Sequence, residues 1–318
     1  MRLRINARPS FAMPGLVTSL LILASTLLDA PATASMTTIQ ETPPETSAMT
    51  RRVPAQTDLE AIALPGAVDI TRSTEIWSDF GEERWIRNVN RPTLLPMRPA
   101  PDLDNGISLL VIPGGGFQFV SIDNEGYRIA ENLVARGYTV FILKYRTMTT
   151  PEDEAAFSDH MRALFSGQLP FESFDRTSGE TVAISDAVAA WQLMHDHADE
   201  WRLDPERTGI VGFSAGAITA LGLARQATDP APAFLGYLYG PMTDMALPET
   251  LPPLFSALAA DDTLFAGQGF QLVEDWQERG GEVEFHYYAA GGHGFGSYQR
   301  GTPADGWLDQ FDSWLRTR

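Results

Sequence analysis

The sequence predicts an α/β protein with a mostly parallel central sheet and helices on both of its faces. Short, continuous apolar runs alternate with helical stretches from about residue 75 to the end of the 318-residue chain. The runs lack the polar alternation of a strand with one solvated face, which is typical of strands buried on both sides. The composition, with 44% hydrophobic and 20% charged residues, is that of a globular protein with one large core.

The predicted elements follow one another in the order that a parallel sheet requires. Strands are predicted at 84–89, 92–97, 108–113, 138–145, 208–213, 234–239, 254–259 and 283–289, with the first two as an antiparallel pair at the sheet edge. Helices are predicted at 129–136, 181–201, 215–227, 269–279 and 306–316. The segment 147–178 interrupts this order with mixed acidic and aromatic residues, and loops of this length usually carry function. We expect it to be an inserted cap or loop segment.

The first 34 residues have the three parts of an export signal. Three arginines precede an apolar run from Gly15 to Leu28, and the small residues Ala32-Thr33-Ala34 follow that run. The run is shorter than the ~20 residues that cross a bilayer, which favours a cleaved signal over a retained membrane anchor. We therefore expect cleavage after Ala34, no stable membrane insertion afterwards, and a periplasmic or secreted protein.

Residues 35–70 are predicted to be a flexible leader, and residues 71–318 to form one domain. The leader is rich in Thr, Pro, Ser, Ala and Glu and shows no periodicity. The chain has 41 acidic and 23 basic residues and a net charge of −18, without a Lys/Arg-rich stretch, which argues against nucleic-acid binding. Cysteine is absent, which excludes disulfides, a thiolate nucleophile and a cysteine-ligated metal.

The strongest motif is Gly212-Phe213-Ser214-Ala215-Gly216, which fits the pattern G-x-S-x-G. This pattern forms a sharp strand-to-helix turn that exposes the serine above the sheet, and a side chain at either glycine would clash with neighbouring backbone. An apolar strand precedes the motif and an alanine-rich helix follows it, which is the expected context. Ser214 is therefore predicted to be a nucleophile.

A second motif, Gly114-Gly115-Gly116, follows an earlier strand. Consecutive glycines allow backbone N–H groups to approach a developing oxyanion, which bulky residues would prevent. We expect the donors to be the N–H groups of Ala215 and of the loop residues Gly115, Gly116 or Phe117. Esterases with a similar loop carry His-Gly-Gly-Gly, whereas Pro113 stands here at the histidine position.

His293 is the best candidate for a general base. It lies in a glycine-rich loop after the last strand, which agrees with the chain order Ser, then Asp or Glu, then His. His286 lies inside a predicted strand, and His195 and His197 are two residues apart on a predicted helix. Neither their spacing nor any H-E-x-x-H motif suggests a metal.

The acid that would orient His293 has three candidates. Asp261 and Asp262 follow the strand at 254–259 and precede the histidine by about thirty residues. An aspartate there can orient the imidazole and stabilise the imidazolium. We favour Asp262 over Asp261, with Asp244 after the preceding strand as a weaker alternative.

Four segments carry a family resemblance: VIPGGGFQFVSIDNEG (111–126), DPERTGIVGFSAGA (204–217), PPLFSALAADDTLF (252–265) and GGHGFG (291–296). Together they resemble the acetylxylan-esterase-like branch of the α/β-hydrolase superfamily, over roughly residues 75–318. The resemblance implies an α/β-hydrolase fold, a triad of Ser214, Asp262 and His293, and an oxyanion hole at the glycine loop. The chain departs from that pattern at Thr263-Leu264-Phe265-Ala266, where relatives commonly carry Val-Pro.

The resulting expectation is an exported serine esterase that needs no metal or organic cofactor. It would hydrolyse short-chain, acetyl-type carboxylic esters, on plant polysaccharides or oligosaccharides, through an acyl-enzyme. An exported serine peptidase or lipase on the same fold is an alternative, although the acidic segment 147–178 is a poor surface for a lipid interface. A catalytically silent carbohydrate-binding protein is the alternative from another class.

Overall fold

The computed structural model describes residues 49–66, 72–165, 176–226 and 229–318, which belong to one compact unit, Thr46–Arg318. Their strands are β1 (Arg51–Val53), β2 (Ile62–Ala63), β3 (Ile76–Phe80), β4 (Glu83–Arg87), β5 (Thr93–Met97), β6 (Ser108–Ile112), β7 (Phe119–Ser121), β8 (Thr139–Lys144), β9 (Thr208–Phe213), β10 (Leu235–Leu238), β11 (Leu254–Ala259) and β12 (Val283–Tyr288). The α-helices are α1 (Arg128–Ala135), α2 (Glu154–Phe165), α3 (Arg176–Asp196), α4 (Ala198–Trp201), α5 (Ala215–Gln226), α6 (Gln271–Glu278) and α7 (Trp307–Leu315).

Eight strands form the central sheet in the order β12-β11-β10-β9-β6-β8-β5-β2. The six from β12 to β8 are parallel, and at one edge β5 pairs antiparallel with β8 and β2 pairs antiparallel with β5. Every residue of β6, β9 and β11 is buried, so both faces of these strands are covered. The predicted fold class, a mostly parallel sheet with helices on both faces, is confirmed.

The register of the two central strands brings two predicted motifs together. Ile112 at the end of β6 lies opposite Gly212 near the end of β9. Because parallel strands end at the same edge of a sheet, the glycine loop after β6 and the serine after β9 are neighbours there. The strand ends β10, β11 and β12 lead to the same edge.

A second, four-stranded sheet has the order β1-β3-β4-β7, and its strand pairs are antiparallel. The predicted edge pair of 84–89 and 92–97 is therefore wrong. β4 pairs with β3 and β7 in the small sheet, whereas β5 pairs with β8 and β2 in the central sheet. Two strand-like patterns that are close in sequence say nothing by themselves about which sheet each one joins.

The N-terminal segment differs in part from the predicted leader. β1 pairs with β3, and β2 pairs with β5, so residues 51–53 and 62–63 contribute strands although they show no apolar periodicity. Strands this short at a sheet edge depend on backbone hydrogen bonds more than on buried side chains, which explains the weak pattern. The predicted signal at 1–34 lies outside the described residues.

The predicted insertion at 147–178 contains a helix, α2, and its last residues already belong to α3, which starts five residues before the predicted helix start. Residues 166–175 of the insertion lie outside the described residues. On α2, Phe157, Met161 and Leu164 pack against Trp85 and Phe119 of the small sheet. None of the described helices is long and apolar enough to cross a membrane.

Candidate active site

Ser214 occupies the sharp turn between β9 and α5. Its backbone φ of 52° lies in the left-handed region, where a non-glycine residue is strained. A Cβ on Gly212 would lie 2.1 Å from the Gly216 carbonyl oxygen, and one on Gly216 would lie 2.0 Å from the Ile112 carbonyl oxygen. Both glycines are therefore required by the close packing of strand, turn and helix.

A chain of hydrogen bonds links three of the predicted site residues. His293 Nε2 lies 2.9 Å from Ser214 Oγ, and His293 Nδ1 lies 2.8 Å from Asp262 Oδ2. The Asp262 side chain is fully buried, and its other oxygen accepts the N–H groups of Leu264 and Phe265 at 2.8 and 3.1 Å. The aspartate is thus held in place while it faces the imidazole, the geometry that a serine nucleophile and its base require.

The two rival aspartates lie elsewhere. Asp261 is exposed, and its Oδ1 accepts the N–H groups of Gly291 and Gly292 at 2.9 and 2.7 Å, so it shapes the loop that carries the histidine. Asp244 lines a separate pocket beside α5. Of the three candidates, the structure brings Asp262 to His293, and its catalytic role remains a proposal.

The glycine loop borders the same site. Gly115, with a φ of +129°, could not carry a Cβ, which would lie 2.0 Å from the Phe119 carbonyl oxygen. Gly116 has a φ of +60° and open space at its Cβ position, and both glycines line the cavity at Ser214. Ala215 is the first residue of α5, so its N–H has no acceptor within the helix. The Phe117 side chain is fully buried away from solvent.

These groups open into a cavity of about 250 Å³. One side carries the Ser214–His293 pair and the glycine loop. Another side is apolar, and its residues come from the small sheet and α2: Phe80, Trp85, Phe119, Met161 and Leu164. Among the described residues, no group of three or more His, Cys, Asp and Glu side chains could hold a metal ion.

The apolar side of the cavity contains a stack of three aromatic rings. Trp85 lies parallel to Phe80 at 4.0 Å between centroids and to Phe119 at 3.9 Å. Phe157 meets Trp85 edge-on at 6.5 Å. The stack therefore contributes apolar ring surface to the cavity lining.

Sequence reasoning missed two buried carboxyl groups that line the cavity. Glu125 lies in a π-helical turn before α1 and accepts hydrogen bonds from Gly114 N–H at 2.6 Å and from Tyr239 O–H at 2.8 Å. Burial raises the pKa of Glu125 to about 7, against the effect of those two hydrogen bonds. Its signal in the sequence was an acidic residue inside the quoted segment at 111–126, and nothing there distinguished it from a surface residue.

The second missed carboxyl is Glu83 on β4. It accepts the Trp85 indole N–H at 2.8 Å and the Ser121 hydroxyl at 3.1 Å. Burial raises the pKa of Glu83, and hydrogen bonds from these groups and Tyr298 oppose that effect. Glu83 lies one residue before the predicted strand at 84–89, so the sequence pattern did not indicate that this residue faces a cavity.

The fold and the site together define an α/β hydrolase, with a serine at the turn after a central strand and a histidine within hydrogen-bonding distance. The chain belongs to the dienelactone hydrolase family, whose family model matches residues 117–317. The predicted membership of the α/β-hydrolase superfamily is confirmed.

Individual similarities agree with this family. The chain is 21% identical over 252 residues to an acetylxylan esterase of Xylanibacter ruminicola, with 68% of this chain and 47% of that protein covered, so it spans about half the length of that relative. A solved structure of MGS-M1, an α/β hydrolase from a Medee basin deep-sea metagenome library, matches with a TM-score of 0.54 at 22% identity, covering 71% of this chain and 92% of that one. An acetyl ester-xyloside bifunctional hydrolase from Caldicellulosiruptor lactoaceticus matches with a TM-score of 0.54 at 17% identity, covering 71% and 88%.

Proposed function

We propose that this protein is a serine esterase that hydrolyses short-chain carboxylic esters through Ser214, His293 and Asp262. The observation that carries the proposal is the continuous hydrogen-bond chain from Asp262 through His293 to the Ser214 hydroxyl, at the edge of a cavity. Dienelactone hydrolase family membership and the esterases among its relatives support the same class of reaction.

In the proposed reaction, His293 Nε2 takes the Ser214 proton while Ser214 Oγ forms a bond to the ester carbonyl carbon. The N–H groups of Ala215 and of Gly116 or its loop neighbours stabilise the oxyanion. When the ester C–O bond breaks, His293 protonates the leaving alcohol and an acyl-enzyme remains. Water then attacks the acyl group with His293 as base, and the acid is released with Ser214 restored.

We propose acetyl-type esters as substrates, on sugars of plant polysaccharides or oligosaccharides. The similar acetylxylan esterase and acetyl ester-xyloside hydrolase support this substrate class. The cavity of about 250 Å³, which both Ser214 and the aromatic stack line, suits a small acyl group. We also propose export, with cleavage after Ala34, on the pattern of the N-terminal segment.

The decisive experiment compares p-nitrophenyl acetate hydrolysis by the wild type and by Ser214→Ala. We expect the variant to lose about 10³-fold or more in kcat, because no acyl-enzyme can form and the remaining groups can only stabilise the oxyanion of direct water attack. Equal rates for both proteins would disprove the serine-esterase proposal and favour a silent binding protein.

The substrate class is tested by comparing acetate release from acetylated xylan with hydrolysis of p-nitrophenyl esters of increasing chain length. We expect kcat/KM to fall beyond about four carbons, because one extra methylene in a filled pocket costs about 1–3 kcal/mol. Preference for chains beyond about eight carbons would support a lipase instead. Cleavage of peptide but not ester substrates would support a peptidase.

A further inference from the structure

Glu125 connects the glycine loop to the histidine side of the cavity. One of its oxygens accepts the Gly114 N–H at 2.6 Å and the other accepts the Tyr239 hydroxyl at 2.8 Å. A Cβ on Gly114 would lie 2.9 Å from the carboxyl oxygen and 3.0 Å from Ser214 Cβ, so Gly114 is held between Glu125 and the nucleophile. Any movement of the carboxyl group therefore displaces the loop next to Ser214.

Tyr239 extends this link toward the general base. It follows β10, and its ring meets the His293 imidazole edge-on at 5.3 Å and the Phe295 ring at 4.5 Å. A Cβ on Gly294, the residue after His293, would lie 4.0 Å from the other carboxyl oxygen of Glu125. A single carboxyl group thus contacts the backbone of one catalytic loop and approaches that of the other.

An ionised carboxyl group is energetically unfavourable at this buried position. Glu125 is 4% exposed, and the titratable groups that face it are Tyr239, Tyr145, Glu83 and His293. Of these, only His293 can bring a positive charge, and that charge lowers the pKa of Glu125 while burial raises it. A neutral glutamine could accept the same Gly114 N–H without the desolvation penalty of a buried charge.

We propose that Glu125 is a positioning residue, which holds Gly114 so that the following N–H groups face the oxyanion, and whose charge stabilises protonated His293 during acyl transfer. This inference rests on the proposed function, since it assigns roles in that reaction. Glu125 would act in the reaction in two separable ways. The first part needs only a hydrogen-bond acceptor, and the second part needs a negative charge.

The test uses Glu125→Ala and Glu125→Gln in the full chain, with p-nitrophenyl acetate at constant ionic strength. Alanine removes the acceptor, and we expect kcat to fall about 10- to 100-fold with little change in KM, because a displaced loop weakens transition-state contacts. Glutamine keeps an acceptor and is expected to restore kcat to within about fivefold of the wild type.

The charge is tested by the acid limb of the kcat/KM profile. Without the nearby carboxylate, protonation of His293 becomes less favourable, so the limb of Glu125→Gln should move to lower pH by about 0.3 unit or more. The position of this limb does not depend on the fraction of folded protein. Tyr239→Phe, which keeps the carboxyl group but removes one of its donors, should shift the limb in the same direction by less.

The matched control is Asp312→Asn. Asp312 lies on α7 and is not among the residues that line the cavity. Like Glu125, it accepts a hydrogen bond from a tyrosine hydroxyl, that of Tyr138 at 2.6 Å. This change should leave the acid limb within about 0.1 unit of the wild type, because no reacting group faces it.

The outcomes separate this inference from the proposed function. An inactive wild type, or one unaffected by Ser214→Ala, contradicts the esterase itself. An active wild type whose acid limb is unmoved in both Glu125→Gln and Tyr239→Phe overturns the role of the charge. A Glu125→Ala variant with unchanged kcat overturns the positioning role.

Discussion

The two sides of the cavity are built in different ways. The serine side consists of polar groups at the ends of parallel strands of the central sheet, and hydrogen bonds connect the loops that follow β6, β9, β11 and β12 to one another or to Glu125. The aromatic side consists of the small antiparallel sheet and α2, which pack through apolar side chains. The first arrangement holds Ser214, His293 and Asp262 at hydrogen-bonding distances, and the second sets the size and polarity of the space beside them.

The aromatic side also has a polar anchor of its own. The fully buried Arg87 guanidinium on β4 pairs with Glu154 at 2.7 Å and lies 4.4 Å from the Phe157 ring centroid. Glu154 in turn accepts the hydroxyls of Thr50 and Ser78 at 2.7 and 3.0 Å. The start of α2 is thereby fixed to the small sheet, which makes this helix a wall of the cavity. We therefore expect reactivity and acyl selectivity to depend on separate sets of contacts.

The largest expected effect is on the serine side. Asp262→Asn should lower kcat by about 10³- to 10⁴-fold, because an amide cannot stabilise the imidazolium and favours the wrong tautomer of the histidine. The matched control is its neighbour: Asp261→Asn keeps an acceptor oxygen for the N–H groups of Gly291 and Gly292, removes only an exposed charge, and should lower kcat less than about tenfold. Steady-state kinetics on p-nitrophenyl acetate measures both. Equal losses would mean that the aspartate was assigned wrongly.

The next effect is on the anchor of the aromatic side. Arg87→Met should lower the free energy of unfolding by about 3 kcal/mol, because Glu154 loses its charged partner in a partly buried position. Arg51→Met removes an exposed ion pair with Asp79 in the same small sheet and should change the free energy of unfolding by less than about 1 kcal/mol. Urea denaturation of both variants checks this. Similar losses would show that the buried pair has no special part in stability.

A third prediction concerns pH and stability. The pKa of Glu125 is raised by burial from 4.5 to about 7, so the folded protein binds this proton more tightly than the unfolded chain does. The stability contributed by the neutral carboxyl is complete below pH 4.5 and is lost as the pH rises through 7. Glu125→Gln should therefore gain stability relative to the wild type between pH 4.5 and 8, by up to roughly 3 kcal/mol. A difference that stays constant over this range in denaturation experiments would contradict the burial argument.

The smallest expected effect is on acyl selectivity. Met161→Ala on α2 enlarges the cavity that Ser214 also lines, so the ratio of kcat/KM for p-nitrophenyl butyrate over acetate should rise by several-fold to about 10-fold. Met194→Ala removes an equally buried methionine on α3 and should leave the ratio unchanged, although both variants lose stability of about 2–5 kcal/mol. A change in the ratio for both variants would mean that reduced stability of the whole protein, rather than a larger cavity, alters the selectivity.

Much of the serine side could be predicted from sequence because its signals are local. The turn at Ser214 needs two glycines at fixed spacing, and the glycine loop and the histidine loop each follow a recognisable buried strand. The choice among Asp244, Asp261 and Asp262 was weaker, since adjacent aspartates in a loop differ only in the direction of their side chains. That direction is decided by the N–H groups of Leu264 and Phe265, which turn Asp262 inward.

The amino-acid sequence alone determined the mostly parallel sheet and the order of the motifs, and it predicted the candidate serine and histidine, because each depends on residue types within a few positions. Only the tertiary structure decided that β4 belongs to the small sheet, that α2 forms a wall of the cavity, and that Glu83 and Glu125 are buried in the same cavity lining as the serine. These features arise from contacts between residues far apart in the chain, such as Arg87 with Glu154 and Glu125 with Tyr239. The residue type alone does not show whether a carboxyl group is buried or exposed, because its desolvation arises only once the chain has folded.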